Sequence, residues 1–375
     1  MTDCNSNNAH GDAIKRGRAR FLYMEFAEPK NIQQPNNFNA LRLILALYVF
    51  LCHFVDLSAI DTPLLFLDGP DAVRGFFVIS GFLIYSSYCR SSSLKSYFIK
   101  RGRRIFPSYF FIVIFFSVAL FFVSSLTLSE YFGKDWLRYL LSNMAFSNFM
   151  QPTLPGVFEG NHIDVVNGSL WTIKIELMCY IALPLLLFLC RKSRLNPFLF
   201  FGGVIVLSIV YSFACDMLLR STGDIRYAVY ARQIAGQLAY FVMGMMLYEL
   251  LHLVIMHRYK LLVAGVALLA LAYMVPAAGS AIKPFAISFI VLPAAFIGRW
   301  GFWLGSTDIS YDFYLLHFPV LQLFVHFKVA ESTGVVPALF IALAAVTVLS
   351  LASWHLVGKR FLVRRRQAEV GNAVR

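Results

Sequence analysis

Runs of apolar residues long enough to cross a bilayer as helices recur along the chain near 39–57, 72–89, 105–127, 169–190, 197–219, 232–251, 260–276, 280–298, 309–327 and 335–357. This pattern predicts an all-α protein, a polytopic membrane helix bundle with about ten transmembrane helices. The first 38 residues are polar and lack the apolar core of a cleavable signal peptide, so the first run is expected to act as its own insertion signal. The longest polar interval, about 128–168, contains the half-apolar stretch WLRYLLSNMAFSNFM, which reads as an interfacial or re-entrant helix. No internal repeat of the kind seen in many transporters is visible. One membrane domain over 36–358 is expected, between a polar tail, 1–35, and a basic tail, 359–375, with no appended soluble domain.

Composition agrees with that reading. The chain is 59% hydrophobic and 14% charged, against about half and a quarter in soluble domains. A net charge of +13 raises the question of nucleic acid, but the repeated apolar runs turn it into topology information instead. When the loops are assigned to alternating sides, 23 of the 33 Lys and Arg residues fall on the side of the amino terminus and 7 on the other. Both termini are therefore expected in the cytoplasm, with the long 128–168 loop outside. The six cysteines show no metal-ligand spacing and read as small membrane hydrophobes.

Ionisable side chains inside spans are costly, so each needs a reason. Arg42 and His53 in NALRLILALYVFLCHF are eleven residues apart, which returns to nearly the same helix face about 16 Å along the axis. On position alone Arg42 reads equally as a snorkelling anchor, and a packing histidine hydrogen-bonded to a neighbouring helix is the plain alternative for His53. The fourth run places Glu176 about seven residues inside its outer rim, where a carboxylate needs a partner or a proton. Lys174 lies two residues away on another face and is no evident partner. The ninth run, ISYDFYLLHFPV, brings His317 to a middle depth expected to lie close to that of Glu176, with Tyr311, Asp312 and Tyr314 in the preceding turns. The segment SLKSYFIKRGRRIFPSYF gathers Lys95, Lys100, Arg101, Arg103 and Arg104 just before a span. It reads equally as a solvated topology signal and as a phosphate site, since guanidinium groups pair their hydrogen bonds with phosphate oxygens. Gly75, Gly81 and the serines around them suit close approach of another helix.

Together these residues resemble the acyltransferase family 3 membrane proteins, which modify bacterial surface and secreted glycans. The resemblance covers about 36–360 and rests on Arg42-x10-His53, GFFVISGFLI at 75–84, RGRRIFPSYF at 101–110 with its Arg-x-x-Arg at Arg101 and Arg104, SLWTIKIELMCY at 169–180, and YLLHFP around His317. It implies a transmembrane acyltransferase domain that moves an acyl group, acetyl in the first instance, from cytoplasmic acyl-CoA to a hydroxyl of a glycan or lipid-linked sugar. By the same resemblance His53 is the first candidate for catalysis, with Glu176 and His317 beside it. Arg42 would handle the donor, and Arg101, Arg104 and their neighbour Arg103 its phosphates. Where many members carry an acidic residue before FFV, this chain has Arg74, so no acidic role is expected there. Localisation in a bacterial inner membrane follows from the same resemblance, as does O-antigen, exopolysaccharide or lipid-linked oligosaccharide as acceptor. No metal and no nucleic acid is expected; membrane lipids are the surroundings.

The expected chemistry is general-base catalysis by His53, helped by Glu176 or His317, on a sugar hydroxyl attacking a thioester. A covalent acyl intermediate on His53 or a nearby Ser or Tyr is the alternative. Two rivals stay open from sequence: a lipid-linked glycan flippase or other transporter, and a polymerase of lipid-linked repeat units.

Overall fold

The computed structural model describes residues 30, 36–59, 69–298, 300–301 and 308–361. Apart from Lys30, the tail 1–35 lies outside the described residues, as does the basic tail from 362 onward. The longer helices are α1 (Phe38–Leu57), α2 (Gly69–Cys89), α3 (Leu94–Ala119), α4 (Lys134–Met144), α5 (Trp171–Ser193), α6 (Pro197–Thr222), α7 (Ile234–Glu249), α8 (Arg258–Met274), α9 (Gly279–Ala295), α10 (Ser310–His326) and α11 (Val335–Ser353). Shorter turns of helix join them, and there is no strand among the described residues. The protein is all-α.

All ten apolar runs are helical, and the eleventh helix, α4, is the half-apolar stretch of the long loop. Seven helices among the described residues are long and apolar enough to cross a membrane: α1, α2, α3, α5, α6, α9 and α11, some with flanking turns. Helices α7, α8 and α10 have 16, 17 and 17 residues and fall below that length. The chain is a multi-pass membrane protein.

Local chemistry explains several boundaries. Asn196 caps α6 by accepting from the amides of Phe198 at 2.9 Å and Leu199 at 3.4 Å, Pro197 fills the first helical position, and Gly223 ends the helix at φ 70°. Prolines inside spans free a carbonyl one turn back, which hydrocarbon cannot solvate. Pro184 in α5 leaves the Tyr180 carbonyl, and the buried Tyr97 hydroxyl donates to it at 3.1 Å. Pro319 in α10 leaves the Leu315 carbonyl, and Asn167 Nδ2 donates to it at 2.8 Å.

The chain forms two compact units. One comprises Phe77–Tyr97 and Met178–Arg299 with the amino-terminal segment. Here α2 and α7 approach to backbone contact. A Cβ on Gly81 would lie 1.9 Å from the Phe241 carbonyl oxygen, and one on Gly244 2.1 Å from that of Val78. The close helix approach expected around Gly81 is thus found. Glu249 at the end of α7 is buried against the Tyr85 hydroxyl at 2.5 Å and the Lys30 ammonium at 3.3 Å.

The other unit comprises Asn37–Phe76, Phe98–Leu177 and the chain from Trp300 onward. In it α4 has three sectors. Tyr139 and Asn143 are buried, Leu137 and Leu141 are exposed apolar residues, and Lys134, Asp135 and Arg138 are exposed and charged. That division suits a helix lying in the membrane interface. The buried sector is tied to α3, where Tyr109 donates to the Asn143 carbonyl at 2.8 Å and Trp136 to that of Ser117 at 2.8 Å.

The glycine contacts give a direct check. Gly244→Ala is expected to cost about 1–3 kcal/mol by overpacking against backbone that has no room to shift. Gly202→Ala, whose Cβ would meet nothing within 4 Å, is expected to be neutral or slightly stabilising. Thermal unfolding of the two variants in detergent separates these outcomes, and equal melting temperatures would contradict the close packing of α2 on α7.

Candidate active site

All seven sequence-predicted site residues fall in the second unit, and α1 and α10 position four of the groups that matter. The two helices run side by side in the same direction. At their amino-terminal ends Arg42 Nη1 lies 2.8 Å from Asp308 Oδ2; in the middle Phe50 meets Phe313 edge-on at 5.8 Å; further on His53 Nδ1 lies 2.8 Å from His317 Nε2. Eleven residues of α1 thus span the same interval as nine on the α10 side. Arg42 and His53 share one face, and that face is turned to α10.

The ionic layer gathers more than Arg42. Arg104 Nη2 donates to the same Asp308 oxygen at 2.5 Å, and the Ser310 hydroxyl donates to the other at 2.5 Å. The Tyr311 ring lies 5.9 Å from the Arg104 guanidinium. Side-chain exposures of 17–18% for the arginines and 10% for Asp308 mean that water screens this layer little. Burial alone would raise the Asp308 carboxyl, but Arg104 and Arg42, with the Ser310 hydroxyl, outweigh it and hold it well below the usual carboxylate range. Asp312, one turn along α10, is buried and accepts from Ser353 at 2.6 Å, which ties α10 to α11.

The histidine layer is held by the end of the long loop. The buried Gln322 donates to the carbonyls of Ile163 at 2.6 Å and Val165 at 2.7 Å, and Asn161 donates back to Gln322 Oε1 at 2.8 Å. Asn167 reaches the carbonyl freed by Pro319, while its own side-chain oxygen accepts from the Ser169 amide at 3.1 Å. Loop and helix therefore position each other. The result puts Ser169 Oγ 3.3 Å from His317 Nε2 and Thr172 Oγ1 3.0 Å from the Tyr314 hydroxyl. Gly168 leaves room for the Phe318 ring, since a Cβ there would lie 2.6 Å from it, and Phe318 packs edge-on against His53 at 5.0 Å.

Contacts 169 to 317 and 172 to 314 show α5 running opposite to α10. Glu176, half-buried and one turn beyond Thr172 on the same face, lies about 10 Å by helix rise from the level of Ser169, towards the ionic layer. Its depth thus differs from that of His317, because the residue of this segment level with His317 is Ser169. Of the basic cluster, Arg104 joins the ionic layer, Arg101 is half-buried on the same helix, and Arg103 is exposed. Arg74 is hydrogen-bonded to Asp71, and Lys174 lies over the Phe149 ring at 4.8 Å. Sequence reasoning missed Asp308, Ser169 and Asn167.

A cation pair at one end of a face and an imidazole pair at the other suits a long, phosphate-bearing substrate with a reactive far end. Among the described residues no group of three His, Cys, Asp or Glu side chains is placed to hold a metal ion. The acyltransferase-domain profile of acyltransferase family 3 matches residues 36–355. This chain belongs to acyltransferase family 3. As a member it is an acyltransferase, and both the ionic and the histidine layer lie within the matched region. The chain is 27% identical over 354 residues, 89% of its length and 98% of the relative's, to an O-acetyl transferase of Shigella phage Sf6. It is also 33% identical over 172 residues to nodulation protein 10 of Rhizobium leguminosarum bv. viciae, covering 42% of this chain and 46% of that one. No solved structure matches it.

The ionic layer sets a pH-dependent expectation. Because the Asp308 pKa is depressed on folding, its contribution is complete above the unfolded value of about 3.9 and is lost as pH falls through the lower folded value. Asp308→Asn is expected to destabilise the protein by roughly 3 kcal/mol at neutral pH, leaving two partly buried cations uncompensated. The deficit should be constant from pH 8 to 5 and shrink below about pH 4. Unfolding in detergent across that range checks it, and a variant as stable as wild type at pH 7 would contradict it.

Proposed function

We propose that this acyltransferase is an O-acetyltransferase that takes the acetyl group of acetyl-CoA, presented from the cytoplasm, and passes it to a hydroxyl of a surface or secreted glycan. O-antigen, exopolysaccharide and lipid-linked oligosaccharide form the acceptor class. The observation that carries the reading is the α1 face that joins Arg42, with Arg104 beside it on Asp308, to His53. Its length, about 16 Å by helix rise, is close to the reach of a pantetheine arm. The name of the phage relative supports O-acetyl transfer.

In this reading Arg42 and Arg104, with Arg101 behind them and Arg103 at the exposed edge, take the donor's phosphates; guanidinium forks suit phosphate as they suit the carboxylate of Asp308. His53 is the general base. It removes the proton of the sugar hydroxyl as that oxygen attacks the thioester carbonyl, and it returns the proton to the departing CoA sulfur when the tetrahedral adduct collapses. One C–O bond forms and one C–S bond breaks, leaving free CoA and an acetyl ester. Glu176 lies between the two layers in depth, at the level that the pantetheine arm would cross.

The parallel course of α1 and α10 is what a ten-span reading requires of its first and ninth spans. With the excess of Lys and Arg on one side, it supports cytoplasmic termini and a site open to the cytoplasm at its arginine end, in the inner membrane of a bacterium. The membrane domain would then extend over 36–358, with cytoplasmic tails on both sides.

Membranes containing the protein, given radiolabelled acetyl-CoA and the host's lipid-linked glycan, are expected to label the glycan. His53→Ala at equal protein level should lower that rate by about 100-fold or more. Absence of thioester consumption with any acyl donor would instead favour transport.

A further inference from the structure

We infer that His317 is a positioning residue that fixes the tautomer of His53, leaving the basic lone pair on Nε2 of His53. The inference rests on His53 being the base of the proposed reaction.

The rings of His53 and His317 are nearly parallel. Their planes are 10° apart and their centroids 5.1 Å apart, while Nδ1 of His53 lies 2.8 Å from Nε2 of His317. A centroid separation equal to the N···N distance plus the two ring radii means that the rings meet edge to edge, in line, and not face to face. Such a contact between neutral imidazoles holds a single proton, carried by one nitrogen and accepted by the other.

Which ring donates is decided on the far side of His317. Its Nδ1, the ring nitrogen nearer the main chain, is buried without a hydrogen bond, and a helical side chain leans back over the preceding turn, where the carbonyls of Phe313 and Tyr314 lie. Both neighbours are acceptors only. A bare lone pair there would face carbonyl oxygens, so the proton of the neutral ring belongs on Nδ1. Nε2 of His317 is then the acceptor, and it takes the proton of His53 Nδ1. The Ser169 hydroxyl, 3.3 Å from the same Nε2, can share that lone pair as a second, weaker donor.

The consequence falls on His53. With its Nδ1 proton committed to His317, its Nε2 carries the lone pair, and the ring is held in plane by a partner that is itself fully buried. When Nε2 takes the substrate proton, the positive charge that develops is met by the lone pair of His317. The role needs an acceptor at the position of Nε2 of residue 317 and nothing more. A glutamine places its amide oxygen there; a leucine of similar bulk places only carbon.

The test compares His317→Gln with His317→Leu in the acetyl-transfer assay, with acetyl-CoA concentration varied and CoA binding measured as a check on folding. His317→Gln is expected to keep kcat within about tenfold of wild type, while His317→Leu loses about 100-fold or more in kcat with KM for acetyl-CoA unchanged. Two results overturn the inference: activity retained in His317→Leu, or a glutamine variant as inactive as the leucine one while still binding CoA. The latter would make His317 a proton or acyl carrier in its own right. His53→Ala run alongside separates this from failure of the parent reading, because an active His53→Ala protein would remove the base itself.

Discussion

Two guanidinium groups from different helices share one carboxylate in a place that water screens little, and much of the second unit's geometry depends on that arrangement. A lone buried cation or carboxylate there would cost several kcal/mol, so Arg42, Arg104 and Asp308 stabilise the fold only as a set. Once Asp308 fixes the amino-terminal end of α1 against the start of α10, the parallel register of the two helices decides which residues meet further along. Nine residues on from Asp308 that register delivers His317 to His53. The ionic layer is therefore upstream of the imidazole pair in the physical sense, although the two are more than 10 Å apart by helix rise.

The same hydrocarbon surroundings explain the second support of the site. Proline in a span leaves a carbonyl that lipid cannot satisfy. Pro319 does so beside the imidazole pair, and Asn167 answers from the long loop while also holding the amide of Ser169. A helix defect thereby becomes an anchor for the loop packed against it. Pro184 and Tyr97 repeat the device in the other unit, where no chemistry is proposed, so the device by itself is structural.

Much of the fold was legible because hydrocarbon imposes a simple length and polarity rule. All ten apolar runs are helices, yet α7 and α10 are shorter than their runs, since polar caps and turns end a helix before hydropathy falls. The face shared by Arg42 and His53 was legible from helix periodicity alone. Asp308 was not, because an acid in a short polar loop costs nothing in isolation and so leaves no mark in the sequence. The signal available was indirect: an arginine placed inside a span needs an acidic partner, and the polar approach to α10 carries one. Periodicity sorted the basic cluster only in part, as it takes the neighbouring helices to show that Arg104 points inward while Arg103 is exposed. Glu176 illustrates the limit of depth counting, because its level relative to His317 depends on a register between α5 and α10 that is set by Ser169 and Thr172.

In the proposed reaction one face carries the donor's phosphates at one end and its reactive carbonyl at the other. The most direct measurement is a cryo-electron microscopy structure of the protein with a non-hydrolysable acetyl-CoA analogue. The account predicts phosphate density against Arg42 and Arg104, a pantetheine arm passing Glu176, and the carbonyl carbon beside Nε2 of His53. A donor bound with its acyl end away from His53, or phosphates held elsewhere than at Arg42 and Arg104, would contradict it.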